Sequence, residues 1–135
     1  MAIKLSVAVR NARLDAIEST IGTSAVLKIR TGAAPADCAT ADSGTVLATV
    51  TCPSDYLAAA SSGSKAKSGT WEDSSADDTG TAAHFRLYES GGSTCHMQGT
   101  VTATGGGGDM TVDNTSFVSG QSFTVTGFTL TDGNA

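Results

Sequence analysis

The hydrophobic period of this chain changes once, at Gly22, and that change limits the folds open to it. Residues 6–21, SVAVRNARLDAIESTI, form the one convincing helical segment, with Ser6 able to cap its start and Gly22 following Ile21 as a stop. At about 100° per residue, Val7, Leu14, Ile17 and Ile21 gather on one side, and Leu5, Val9, Ala12 and Ala16 gather nearly opposite. A surface helix carries one apolar stripe, so a second stripe of small residues implies contact on two sides. Two readings follow. Either one side covers the domain's own sheet and the other a neighbouring subunit, or the helix is wholly buried in one domain.

The charges of this helix run against its dipole. Arg10 and Arg13 lie in the first half and Asp15 and Glu18 later, and the two arginines are three residues apart, where like charges repel. Neither arginine has an acid three or four positions away, so each calls for an acidic partner elsewhere on this chain or another.

Beyond Gly22 the pattern alternates. SAVLKIRT (24–31) sets Ala25, Leu27 and Ile29 on one face and Lys28 and Arg30 on the other, and GTVLATVTC (44–52) reads as a strand covered on both sides. GAAPADCATADS between them is a long loop. PSDYLAAASSG (53–63) suits a short helical turn, SKAKSGTWE a strand, and EDSSADDTGT a polar loop. DMTVDN and QSFTVTGFTLT close the chain as strands. In the last, Phe123 and Val125 point one way and Phe128 and Leu130 the other, which predicts a bulge or bend at Gly127. Six or seven strands and one helix define a mainly β fold: an antiparallel β-sandwich or jelly-roll-like barrel with one N-terminal α-helix. The organisation is an arm and helix over 1–23 for docking or oligomer contact, then one β-rich domain over 24–135.

A chain of 135 residues suits one core, but with charged residues at 16% and small residues dominant that core is thin, and subunit association is one usual remedy. The net charge of −5 is split: five bases and two acids within residues 1–30 give +3, and three bases and eleven acids beyond give −8. An acidic majority argues against a nucleic-acid partner. No segment approaches the roughly 20 apolar residues of a membrane span. Cys38, Cys52 and Cys95 make an odd, widely spaced set with no CxxC pair, which fits maturation in a reducing cytosol, and the first residues lack the pattern of a signal peptide.

HFRLYESGGSTCHMQG (84–99) raises the question of a metal or catalytic site. A three-residue loop, Ser90-Gly91-Gly92, sets Leu87 opposite Cys95 and Phe85 opposite Met97 as one apolar face. His84, Arg86, Tyr88 and His96 then share the polar face. Cys95 becomes a core thiol, and two diagonal histidines fall short of the three or four convergent ligands zinc needs. The stretch reads as a hairpin. TGGGGD (104–109) lacks the lysine of a phosphate loop, Glu72, Asp73, Asp77 and Asp78 lack calcium-loop spacing, and the sequon DNTS has no bearing on a protein that is not secreted. Trp71 and Tyr56 are expected to pack partly in the core. No set combines nucleophile, base and oxyanion donors, so no catalytic, metal or cofactor site is assigned.

The segments RNARLDAIESTIGTSAVLKIRTGAAPA, SGTVLATV, SGTWEDSSADDTGTAAHFRLYES, TCHMQGTV and DNTSFVSGQSFTVTGFTLT resemble a family of small tailed-bacteriophage virion structural proteins. The resemblance implies a non-enzymatic role in the particle, above all a capsid decoration or cement protein. Such a protein is made in the host cytoplasm, sits on the capsid surface, and has the major capsid protein and further copies of itself as partners. A neck, tail or fibre protein, or a glycan-binding adhesion module, is the alternative. On this reading the docking or oligomer surface is Ile3, Leu5, Val9, Arg10, Ala12, Arg13 and Ala16, with the acidic loops facing solvent.

Overall fold

The computed structural model describes residues 3–135. The helix, α1, spans Val7–Ile21. Ser6 caps it by accepting the Val9 N–H at 3.2 Å, and Gly22 ends it by donating to the Glu18 carbonyl at 2.9 Å. Ten strands follow among the described residues: β1 Val26–Arg30, β2 Val46–Thr51, β3 Ser64–Ala66, β4 Glu72–Asp73, β5 Gly80–Thr81, β6 His84–Tyr88, β7 Cys95–Ala103, β8 Met110–Val112, β9 Ser116–Phe117 and β10 Phe123–Thr131. The mainly β fold with one N-terminal helix is as expected, and the main sheet is a curled half-barrel in the order β2-β1-β6-β7-β8-β10-β3. One pair, β7–β8, runs parallel, so the sheet is mixed.

The curl is measurable across the core. Phe85 on β6 and Phe128 on β10 lie three strand positions apart, about 14 Å along a flat sheet. Their ring centroids are 5.6 Å apart in an edge-to-face pair, so the sheet folds over on itself. Trp71 packs on Phe128 at 5.5 Å and on Tyr56 at 6.2 Å, and both Trp71 and Tyr56 are fully buried, beyond the partial packing expected. Register slips between Val125 and Gly127 where β10 meets β8, which is the predicted bulge.

Local chemistry explains two departures from the sequence reading. SKAKSGTWE is not one strand but β3 and β4, and both pair with β10. Residues 53–63 form no helical turn. Ser61 and Ser64 instead bridge across Ser62-Gly63, whose positive φ values of 53° and 75° make a tight two-residue hairpin turn.

The seam of the half-barrel lies where β4 reaches the outer edge of β2. The Asp73 carboxylate accepts the Thr49 N–H at 3.0 Å. Asp77 accepts the Thr49 hydroxyl at 2.8 Å and donates its own N–H to the Leu47 carbonyl at 2.7 Å. The polar loop thus holds a strand edge.

The helix docks with one side only. Leu14 and Ile21 are buried, each contributing about 2 kcal/mol of apolar burial, and Ile17 packs on the core. Polar groups complete the contact with the 58–66 hairpin: Asn11 accepts the Gly63 N–H at 2.9 Å and Asp15 the Ala60 N–H at 2.9 Å. Lys65, itself buried, pairs with Asp15 at 2.8 Å and Glu18 at 3.0 Å. Complete burial of the helix is therefore excluded.

Candidate functional site

Two features outside the core stand out: the outward face of α1, and a cluster of buried charge under the 32–43 loop.

The outward face follows from how α1 docks. With Leu14, Ile17 and Ile21 turned inward, Val9, Ala12, Arg13 and Ala16 are exposed, and Ile3 in the preceding arm is 77% exposed. Two expectations change. Val7, placed on the inner stripe, is 48% exposed and joins the outer face. Arg10, placed on the docking surface, is buried, with its guanidinium packed against Gly63. The reason is the Gly63 turn, which leaves room for a long side chain that a Cβ would fill. Leu5 is half-buried, and its N–H donates to the Asn134 carbonyl at 2.6 Å. Arg13 has the acidic partner its helix position called for, Asp132 at 3.1 Å.

The second feature begins with three cations on one face of adjacent strands. Lys28 and Arg30 of β1 stand opposite Arg86 and His84 of β6. The expected hairpin register, with Leu87 opposite Cys95, is not the observed one. Leu87 pairs with Met97, Phe85 with Gly99 and Arg86 with Gln98, and a bulge between Leu87 and Tyr88 puts Tyr88 opposite Cys95. The Glu89 carboxylate causes the slip by accepting the N–H groups of Ser93 and Thr94 at 2.9 and 2.7 Å, which lengthens the loop. The bulge also turns Cys95 out of the core. The Arg86 Nε–H donates to its Sγ at 3.1 Å.

Nor is the face of His84, Arg86 and Tyr88 solvated. Every residue of β6 is buried, because the 32–43 loop lies over that face. Asp42 is its pivot. The carboxylate accepts from Arg86 Nη1 at 2.6 Å, Arg30 Nη2 at 2.9 Å and the Tyr88 hydroxyl at 2.7 Å. Loop carbonyls of Thr40, Cys38 and Asp37 solvate the rest of the Arg86 guanidinium, at 3.0, 2.9 and 3.4 Å. Lys28 sits 5.0 Å over the Tyr88 ring. Burial alone would raise the Asp42 carboxyl, but the Tyr88 hydroxyl and both guanidinium groups outweigh it and hold the pKa below its ordinary value. Burial, reinforced by the Asp42 carboxylate, pushes the Tyr88 hydroxyl up to about 12, so it is a hydrogen-bond donor and not a base at neutral pH. Beside this cluster opens a cleft of about 690 Å³ that also exposes Cys38 and Cys95.

The histidines are not brought together. The His84 Nδ1–H donates to the Gly32 carbonyl at 2.7 Å under the loop, while His96 is exposed and borders a depression with Ala16, Ile17, Thr20 and Ile21 of α1. Among the described residues no three His, Cys, Asp or Glu side chains are grouped as metal ligands. The core thiol is Cys52, which burial pushes up to about 12. The glycine-rich 104–109 segment links the parallel strands β7 and β8, with Gly106 and Gly108 pressed on the Thr102 side chain. Asp42, Arg30, Arg86 and Tyr88 were missed as a unit. The available signal was three cations falling on one face of two strands, with an acid-bearing loop joining the first of those strands, β1, to β2.

Comparison with known protein families, with curated proteins and with solved structures finds no match to this chain.

Proposed function

We propose that this protein is a non-enzymatic structural component of a tailed-bacteriophage particle, a capsid decoration or cement protein. In this reading it binds the outside of the head, bridges major capsid subunits and associates with further copies of itself. The observation that supports it most is the outer face of the arm and α1. Ile3, Val7 and Val9 expose apolar side chains beside Ala12 and Ala16, on a helix otherwise fastened to the sheet by ion pairs and buried leucine and isoleucine. Small residues there let a partner surface approach closely, and Arg13 at the margin adds charge. The resemblance of the sequence segments to virion proteins points the same way.

Cement of this kind works by burying surface across subunit boundaries, so that internal pressure must break added contacts before the shell opens. A rigid body serves that purpose, and the Asp42 and Lys65 clusters fasten the loop and the helix to the sheet. A sugar-binding module would need exposed aromatic anchors, whereas Trp71 and Tyr56 are both fully buried.

The test adds purified protein to phage heads and tails separated from each other. Saturable binding to heads, at a stoichiometry tracking the capsomers and with increased survival of heat or low salt, is the expected result. Binding to tails alone, or to neither, overturns the reading.

A further inference from the structure

The cleft beside the Asp42 cluster holds two of the three thiols. Cys38 comes from the loop and Cys95 from the start of β7, and both line the same opening with Thr40, Asp42 and Arg86. The Cys95 thiol lies close enough to Cys38 to raise its pKa, and its own Sγ–H donates to the Met97 carbonyl at 3.4 Å. Arg86 fixes both residues at once, through Nε to the Cys95 sulfur at 3.1 Å and through Nη2 to the Cys38 carbonyl at 2.9 Å. Both are half-buried, and so within reach of small reagents, while Cys52 is sealed in the core. Their separation in sequence conceals the pair: the bulge at Tyr88 turns Cys95 outward, and the folded loop brings Cys38 to it.

We propose that Cys38 and Cys95 form a reversible disulfide that fastens the 32–43 loop to β7 over Arg86. The alternative use of two neighbouring thiols, a soft metal ion, is disfavoured by the guanidinium against the Cys95 sulfur, which repels a cation. A third ligand is also lacking among the described residues.

The oxidant class is a small disulfide such as oxidised glutathione. One protein thiolate attacks a sulfur of the oxidant, forming a mixed disulfide and expelling one glutathione thiolate. The second protein thiolate then attacks the protein sulfur of that mixed disulfide, closing the Cys38–Cys95 bond and expelling the second glutathione. The two protons lost by the cysteines end on the two glutathiones. Burial, and then the neighbouring Cys95, raise the Cys38 pKa, so closure quickens as pH rises above neutrality.

The bond would tie residues distant in sequence and restrict the unfolded chain, and it would pin the cover of the Arg86 cluster. The experiment incubates the full chain in reduced and in oxidised glutathione at mildly alkaline pH, followed by intact mass, peptide mapping and thermal unfolding. The expected result is a loss of two hydrogens, a peptide joining Cys38 to Cys95, and a Tm higher by about 10 °C that dithiothreitol reverses. C38S and C95S should each lose the link and the Tm rise. Bound glutathione at both positions, links between chains, or a 38–95 link that leaves Tm unchanged would each overturn the proposal. The mapping needs only the unaltered protein, so a variant that fails to fold does not blunt the test.

Discussion

Arg86 and Asp42 are joined by an ion pair of 2.6 Å that spans the loop and the sheet. The Arg86 side chain is 1% exposed, and the Asp42 carboxylate serves Arg30 and Tyr88 as well. Neutralising it leaves two buried guanidinium groups facing one another's charge.

Asp42→Asn should therefore destabilise the fold. Breaking a buried pair costs about 3–5 kcal/mol, but the Asp42 side chain is 41% exposed and water recovers part of this, leaving about 2 kcal/mol. Urea unfolding at pH 7 measures it. Asp55→Asn, at an exposed site, should stay within about 0.5 kcal/mol of the parent.

Acid should weaken the fold in a defined window. The bonds from the Ser93 and Thr94 backbones hold the Glu89 pKa down at about 2, against an ordinary 4.5. A depressed folded pKa means that the stabilisation is complete above the ordinary value and is lost as pH falls toward 2. Asp42 and Asp15 are lowered too and act in the same direction. Thermal unfolding between pH 5 and pH 2 should show Tm falling, and Glu89→Gln should flatten that fall.

Gly44 offers a backbone test of the loop that carries Asp42. Its φ is +73°, and a Cβ there would strike the Thr31 carbonyl oxygen, a backbone atom that cannot swing aside. Gly44→Ala should cost about 3 kcal/mol, combining strain and overlap. A shift in the urea midpoint with unchanged slope is the expected result.

The two sides of α1 should respond in opposite ways. Leu14→Ala, on the buried side, should cost about 2–4 kcal/mol. Val9→Glu, on the exposed side, should change stability by no more than about 0.5 kcal/mol and, on the proposed role in the virion, weaken binding to phage heads more than tenfold. Co-sedimentation with heads, alongside Tm, separates the two.

What could be read from the sequence was what depends on near neighbours. Ser6, Gly22 and the spacing of Leu14, Ile17 and Ile21 define α1 within one stretch, and the reversal of side chains at Gly127 marks a bulge within one strand. The hairpin at 84–99 failed because its register depends on a side chain: Glu89 binds its own loop, and alternation carries no trace of that bond. The fate of Arg86 was further out of reach, because the acid that neutralises it arrives from 44 positions away on a loop with no period of its own. Arg10 was misplaced for a related reason, since the space it occupies is created by a turn at Gly63.

The acidic segment along β2 has a further consequence. An edge strand with free N–H and C=O groups is a template onto which another molecule's strand can add. On β2 the Thr49 N–H is already satisfied by Asp73 and the Leu47 carbonyl by Asp77, and two carboxylates stand where an incoming chain would lie. The sheet therefore ends in a blunt, negatively charged border that opposes the addition of another molecule's strand at β2.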